Sequence, residues 1–177
     1  MSDLVKNILR FILFVFIQVY VLDVMPHLHQ LVTPYIYFLF ILWFPFYMNR
    51  MAILALGFLL GLSVDYFSMT PGLHAAACTL IAYLRPFIIN MFASKDTAEF
   101  SYKEPSPKAL GIRAYALYAL ILTLIHNSYL LFLEWLSFGS FIHFLMKLIT
   151  TTAISMLMIL IAELIFPRQL KYRTNVA

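Results

Sequence analysis

Six apolar runs, each near the thickness of a bilayer core, recur along this chain and are sparse in charge. A transmembrane helix needs about 20 such residues. Lipid offers no partner for a backbone N–H or C=O, so a helix must satisfy both within itself. The runs fall at about 8–25, 31–48, 50–67, 73–93, 112–136 and 140–166. The chain is 63% hydrophobic and only 11% charged, where soluble domains hold about a quarter charged residues. No soluble core could hide that much apolar surface. The expected fold is an all-α polytopic membrane protein: a single integral membrane domain over 1–177, with six transmembrane helices in one bundle. Lys6 and Arg10 before the first run resemble the start of a signal peptide. The small-residue cleavage site is missing, since Asp23-Val24-Met25-Pro26 follows, so an uncleaved first helix is expected.

Six spans put both termini on one side, and the positive charges choose the side. Lys6, Arg10, Arg50, Lys95, Lys103, Lys108, Arg113, Arg168, Lys171 and Arg173 all fall on that side, ten of the twelve basic residues. The three opposite connectors hold none. This positive-inside bias places both termini in the cytoplasm. It also accounts for the basic pI, so nucleic-acid binding is not indicated. Residues 94–111 (SKDTAEFSYKEPSPKALG) form the one sizeable polar loop, and it is cytoplasmic in this topology.

Charges inside the spans need a reason, because each costs roughly 2.5–3.5 kcal/mol near the bilayer centre. Asp65 and Lys147 share a depth band near the outer surface. Arg85 and Glu163 share one in the inner half. At least one intramembrane ion pair is expected, Asp65–Lys147 or Arg85–Glu163, with snorkelling of Lys147 and Glu163 as the plainer reading. Pro86 frees a carbonyl one turn earlier, which the Arg85 guanidinium or a water would satisfy. Thr123, His126 and Asn127 on the fifth span face the polar stripe Lys147, Thr151 and Ser155 on the sixth. That seam would line a ligand cavity or proton path, or simply bond to itself.

The hairpin Ala55 to Phe92 holds the most unusual pattern. Gly57, Gly61 and Asp65 lie four apart on one helix face, and Gly72 and Ala76 repeat the spacing beyond a Pro71-Gly72 turn. Small-xxx-small faces admit a second helix closely, so these five residues are the candidate partner-helix packing site. Catalytic signatures are missing: there is no HExxH, no G-x-S-x-G and no phosphate-cradling glycine loop. No catalytic, metal or cofactor site is expected. The lone Cys78 has no disulfide partner, and His27 and His29, two apart on a connector, are a weak metal signal.

The run LGFLLGLSVDYFSMTPGLHAAACTLIAYLRPF resembles the central region of the rod shape-determining MreD family. The matching residues are Gly61, Leu62 and Asp65, then Pro71, Gly72, Leu73, His74 and Ala75, then Ala82-Tyr83-Leu84. Size, six spans and cytoplasmic termini are similar too, while Arg85-Pro86 departs from the family pattern. The resemblance covers about thirty residues. It implies a non-enzymatic, multi-pass scaffold in a bacterial cell inner membrane, part of the elongation machinery, that regulates cell shape and peptidoglycan synthesis by binding MreC. Through MreC it would connect to MreB and to RodA with its transpeptidase partner. The family fold is thought to resemble the substrate-binding subunits of energy-coupling-factor transporters, so a vitamin-binding transport subunit is the alternative. The Gly57–Asp65 face would then take the MreC helix or a second copy in a homodimer.

Overall fold

The structure, a computed structural model, describes residues 3–24, 33–92, 103–135 and 140–166. All regular structure among them is helical. Helix α1 (Asp3–Phe16) continues as a π-helical turn, Ile17–Leu22. A single short turn, α2, spans Leu39–Leu42. Then come α3 (Arg50–Ser68), α4 (Leu73–Phe92), the short α5 (Pro107–Leu110), α6 (Ile112–Trp135) and α7 (Phe141–Ile165). Five of these stretches are long and apolar enough to cross a membrane: the first helix with its π turn, α3, α4, α6 and α7. Their bounds fall close to the first, third, fourth, fifth and sixth apolar runs. The chain termini, residues 94–102, His27, His29 and the turn at 138–139 lie outside the described residues.

Local chemistry sets the ends. Asn49 caps α3, its Oδ1 accepting from the Met51 N–H at 3.0 Å, a bond that satisfies one of the orphan donors of the first turn. Met69 closes the helix in the left-handed conformation. Gly72 sits at φ +87°, where a side chain would be strained, and lets α4 begin at once. Ser106 caps α5, with Pro107 at its first position. The helices form a row in which α3 packs on α4, α4 on α6, and α6 on α7, with α1 lying against α2 and α3.

The second apolar run does not make a helix of membrane length. Between Thr33 and Arg50 only Leu39–Leu42 is α-helical, and the turns around it close over three residues (Leu39 N to Ile36 O, Ile41 N to Phe38 O, both 2.9 Å). Pro34 and Pro45 bracket the run, and each disfavours helix in the residue before it. Tyr37, Phe38, Leu39, Ile41 and Leu42 are wholly buried. This segment occupies the middle of the bundle, where protein rather than lipid surrounds the irregular backbone, as such backbone requires at membrane depth. Its two ends can be placed against α7. The Thr33 hydroxyl lies 3.5 Å from that of Thr151, and the Trp43 indole N–H donates to Glu163 at 2.6 Å. Those two α7 residues are about 18 Å apart along the axis, so the segment follows α7 for that distance.

Its backbone groups are met by side chains of the surrounding helices. Gln18 accepts from the Ile36 N–H at 3.1 Å and donates to the Pro34 carbonyl at 3.2 Å. Ser155 Oγ accepts from the Tyr35 N–H at 3.4 Å. Tyr118 OH donates to the Leu42 carbonyl at 3.0 Å, and the Arg85 guanidinium donates to that of Phe44. Gln18 stands in the π turn, a distortion that re-aims side chains. Gln18→Leu keeps the volume but strands the buried Ile36 N–H and the half-buried Pro34 C=O. Stability should fall by about 2–4 kcal/mol, about 1–3 for the buried N–H and about 1 for the half-buried carbonyl, read as a lower unfolding midpoint in detergent. An unchanged midpoint would mean that these two bonds do not hold the segment.

One end of the bundle carries Arg10, Arg50, Lys108 and Arg113. Here the second half of the expected polar loop is folded into the structure. Glu104 pairs with Arg10 at 2.6 Å, the Phe46 N–H donates to the Lys103 carbonyl at 3.1 Å, and Ser106 is buried. Arg10 also lies over the Trp43 ring, 5.7 Å from its centroid.

Candidate functional site

Asp65 is the hub of the hairpin. Its Oδ1 accepts from Thr70 Oγ1 at 3.0 Å, from the His74 backbone N–H at 2.9 Å and from His74 Nδ1 at 3.0 Å. Its Oδ2 accepts from the Ala75 N–H at 2.8 Å. The last turn of α3 thus caps the first turn of α4: a carboxylate meets free N–H groups at the positive end of a helix dipole. Thr70 and His74 are also in mutual contact at 3.0 Å. The order of groups suggests an acid, a histidine and a hydroxyl. The Thr70 hydroxyl, however, gives its proton to Asp65, and the ring nitrogen facing it is the one that donates to Asp65. The trio is therefore wired as a cap and has no activated nucleophile.

The glycine face turns towards this same helix. A Cβ at Gly61 would lie 2.5 Å from Ala75 Cα and 2.6 Å from its N, and would meet the His74 carbonyl as well. At Gly57 it would lie 2.9 Å from Ala82 Cβ. The spacing correctly marks a close helix contact, but the helix is α4 of the same chain, and Asp65 is 3% exposed. Gly57, Gly61 and Asp65 are thus consumed in the fold and are not a free docking face for MreC or a second copy. Gly72 is an exposed turn residue with open space around it, and Ala76 is half-buried. These two do not extend the face.

A second polar group lies deeper. Tyr37 OH and His126 Nε2 are 2.8 Å apart, His126 Nδ1 and Asn127 Oδ1 3.0 Å, and Asn127 Nδ2 donates to Thr152 at 3.2 Å. With Asn127 Oδ1 accepting, His126 carries its proton on Nδ1, and Tyr37 donates to Nε2. Phe38 stacks on the His126 ring at 4.3 Å. The expected seam between the fifth and sixth runs therefore exists. Residues 33–37 fill it: Thr33 meets Thr151, Tyr35 meets Ser155 and Tyr37 meets His126. Thr123 Oγ1 is buried without a hydrogen-bond partner.

The intramembrane charges have other partners than those expected. Lys147 binds Glu134 at 2.7 Å, across the α6–α7 connection. It does not reach Asp65, because α4 and α6 stand between α3 and α7 in the row. Arg85 binds the Phe44 carbonyl, neither Glu163 nor the carbonyl freed by Pro86, and its Nε has no hydrogen-bond partner. Glu163 accepts from the Trp43 indole at 2.6 Å and from Tyr115 OH. The end of the buried segment is wedged between Arg85 and Glu163, which share a depth without meeting. Gln18, Tyr37, Thr70, Tyr118 and Thr152 do much of this bonding and were not singled out from sequence. Gln18 had a readable signal, a lone amide inside an apolar run.

Among the described residues, no three His, Cys, Asp or Glu side chains converge on a metal position. Comparison of the chain with protein families, with curated proteins and with solved structures returns no match.

Proposed function

We propose that this chain is a non-enzymatic membrane scaffold of the bacterial elongation machinery, of the MreD kind, that binds MreC and through it serves cell shape and peptidoglycan synthesis. One observation carries the reading. Five of the residues behind the MreD resemblance, Gly61, Asp65, Gly72, His74 and Ala75, form one interlocked hairpin in which each has a defined task. A second feature suits it. The buried Gln18, Ser155, Tyr118 and Asn127 are bonded within the chain, as befits a rigid adaptor. In this reading the basic end faces the cytoplasm, and the buried segment is the second of six crossings. The transport-subunit alternative loses its expected site, since residues 33–37 occupy the polar seam.

The test is a mild-detergent pull-down of the tagged chain, with mass spectrometry of proteins and small molecules, alongside depletion in cells. MreC with wall synthases in the eluate, and loss of rod shape on depletion, are the expected results. An ATPase pair with a vitamin-sized ligand, and normal shape on depletion, would replace the scaffold by the transporter.

A further inference from the structure

A cavity of about 490 Å³ opens between α6 and α7 at the basic end. Ala116, Ile159, Leu160 and Leu164 are among its walls, and Lys108 of α5 stands at its rim. Leu160 is 61% exposed and Leu164 78%, so the groove opens sideways to whatever surrounds the bundle. In a membrane that surrounding is acyl chain, and an apolar trough of this kind does not hold water. Its polar lining comes from Ser106, Pro107 and Lys108, and Lys108 is exposed. An occupant entering from the bilayer meets a cation at that level. Arg113, exposed in the first turn of α6 and outside the lining, adds positive charge to the same end of the bundle. Glu163 also borders the cavity, but its carboxylate is engaged by Trp43 and Tyr115. A glycerophospholipid matches both parts of the groove, with an acyl chain along the apolar walls and a phosphate beside Lys108.

We propose that this groove is a binding site for an anionic glycerophospholipid of the leaflet on the basic side, with an acyl chain between α6 and α7 and the phosphate at Lys108. Basic pockets between helices at the membrane surface select lipid headgroups in this way. The site is independent of the scaffold reading, and lipid retention is measured on the isolated chain.

The experiment is native mass spectrometry of the full chain in mild detergent, incubated with equal phosphatidylglycerol and phosphatidylethanolamine. The wild type should retain one phosphatidylglycerol. Lys108→Gln should lower its excess over phosphatidylethanolamine about fivefold, the effect of one cation at headgroup level. Ala116→Trp, at an exposed position lining the groove, should abolish retention of both lipids. Leu157→Trp, 61% exposed and outside the lining, should change neither. A photo-crosslinking phosphatidylglycerol should label the 112–119 and 156–164 stretches of the wild-type chain. Retention unaltered by Ala116→Trp, or label spread evenly over the lipid-facing surface, would overturn the site. Retention without headgroup preference would overturn the role of Lys108. Capture of a protein by a crosslinker at Leu160 in cells, with no lipid retained, would assign the groove to a partner helix instead.

Discussion

Asp65→Ala should cost the folded chain about 3–5 kcal/mol, the usual scale for removing one partner from a buried charged cluster. Four donors converge on that carboxylate: the Thr70 hydroxyl, two backbone N–H groups of α4 and the His74 ring. Alanine leaves the N–H groups of His74 and Ala75 buried and unpaired, at about 1–3 kcal/mol each. Asp65→Asn should lie between, near half that loss. Its amide keeps one accepting oxygen, but its NH2 must then face a donor, either the Ala75 N–H or the Thr70–His74 pair. Equilibrium unfolding in detergent, followed through Trp43 and Trp135, gives the ordering wild type, Asn, Ala. If Ala unfolds like the wild type while MreC co-purification falls, Asp65 is a partner contact and the cap is incidental. If both fall together, association is lost because the hairpin is lost.

Hydropathy located four of the long helices to within about a residue and placed the first, Asp3–Leu22, a few residues too late, because a backbone in lipid must satisfy its own hydrogen bonds. It misread the run at 31–48 because it reports where a segment sits and says nothing of how its backbone is bonded. Once protein surrounds a segment, other side chains can do what a helix does for itself. The clues were spread over other runs: Gln18, Arg85, Tyr118 and Ser155, polar groups whose targets are the N–H and C=O groups of residues 34–44. The ion pairs failed for a related reason. Depth in the bilayer can be read from position along a span, but adjacency needs the order of helices, and two helices separate Asp65 from Lys147. The glycine spacing revealed a close contact without saying which helix makes it. The groove beside Lys108 had no linear signal, because its residues come from three elements that only the fold brings together.

The two helical glycines of α3 should respond differently to the same methyl group. Gly61→Ala places its Cβ against the Ala75 Cα and N and the His74 carbonyl. Those are backbone atoms, present whatever residues stand at 74 and 75. The helices must separate, which also stretches the Asp65 cap, and a loss of about 3 kcal/mol or more is expected, the upper range for overpacking. Gly57→Ala meets mainly the Ala82 methyl at 2.9 Å, with the Cys78 carbonyl at 3.3 Å. A smaller loss of about 1–2 kcal/mol is expected, and Ala82→Gly should relieve it. Ala82→Gly alone costs about 1 kcal/mol of helix propensity. The pair Gly57→Ala with Ala82→Gly should therefore be more stable than the sum of its single effects, by about 1 kcal/mol of coupling. Gly61→Ala with Ala75→Gly should show no such coupling, because the clash is with atoms that glycine retains. Additive behaviour at the first pair, or rescue at the second, would mean that α3 and α4 are not in the register seen here. The small-residue face would then again be free for another chain.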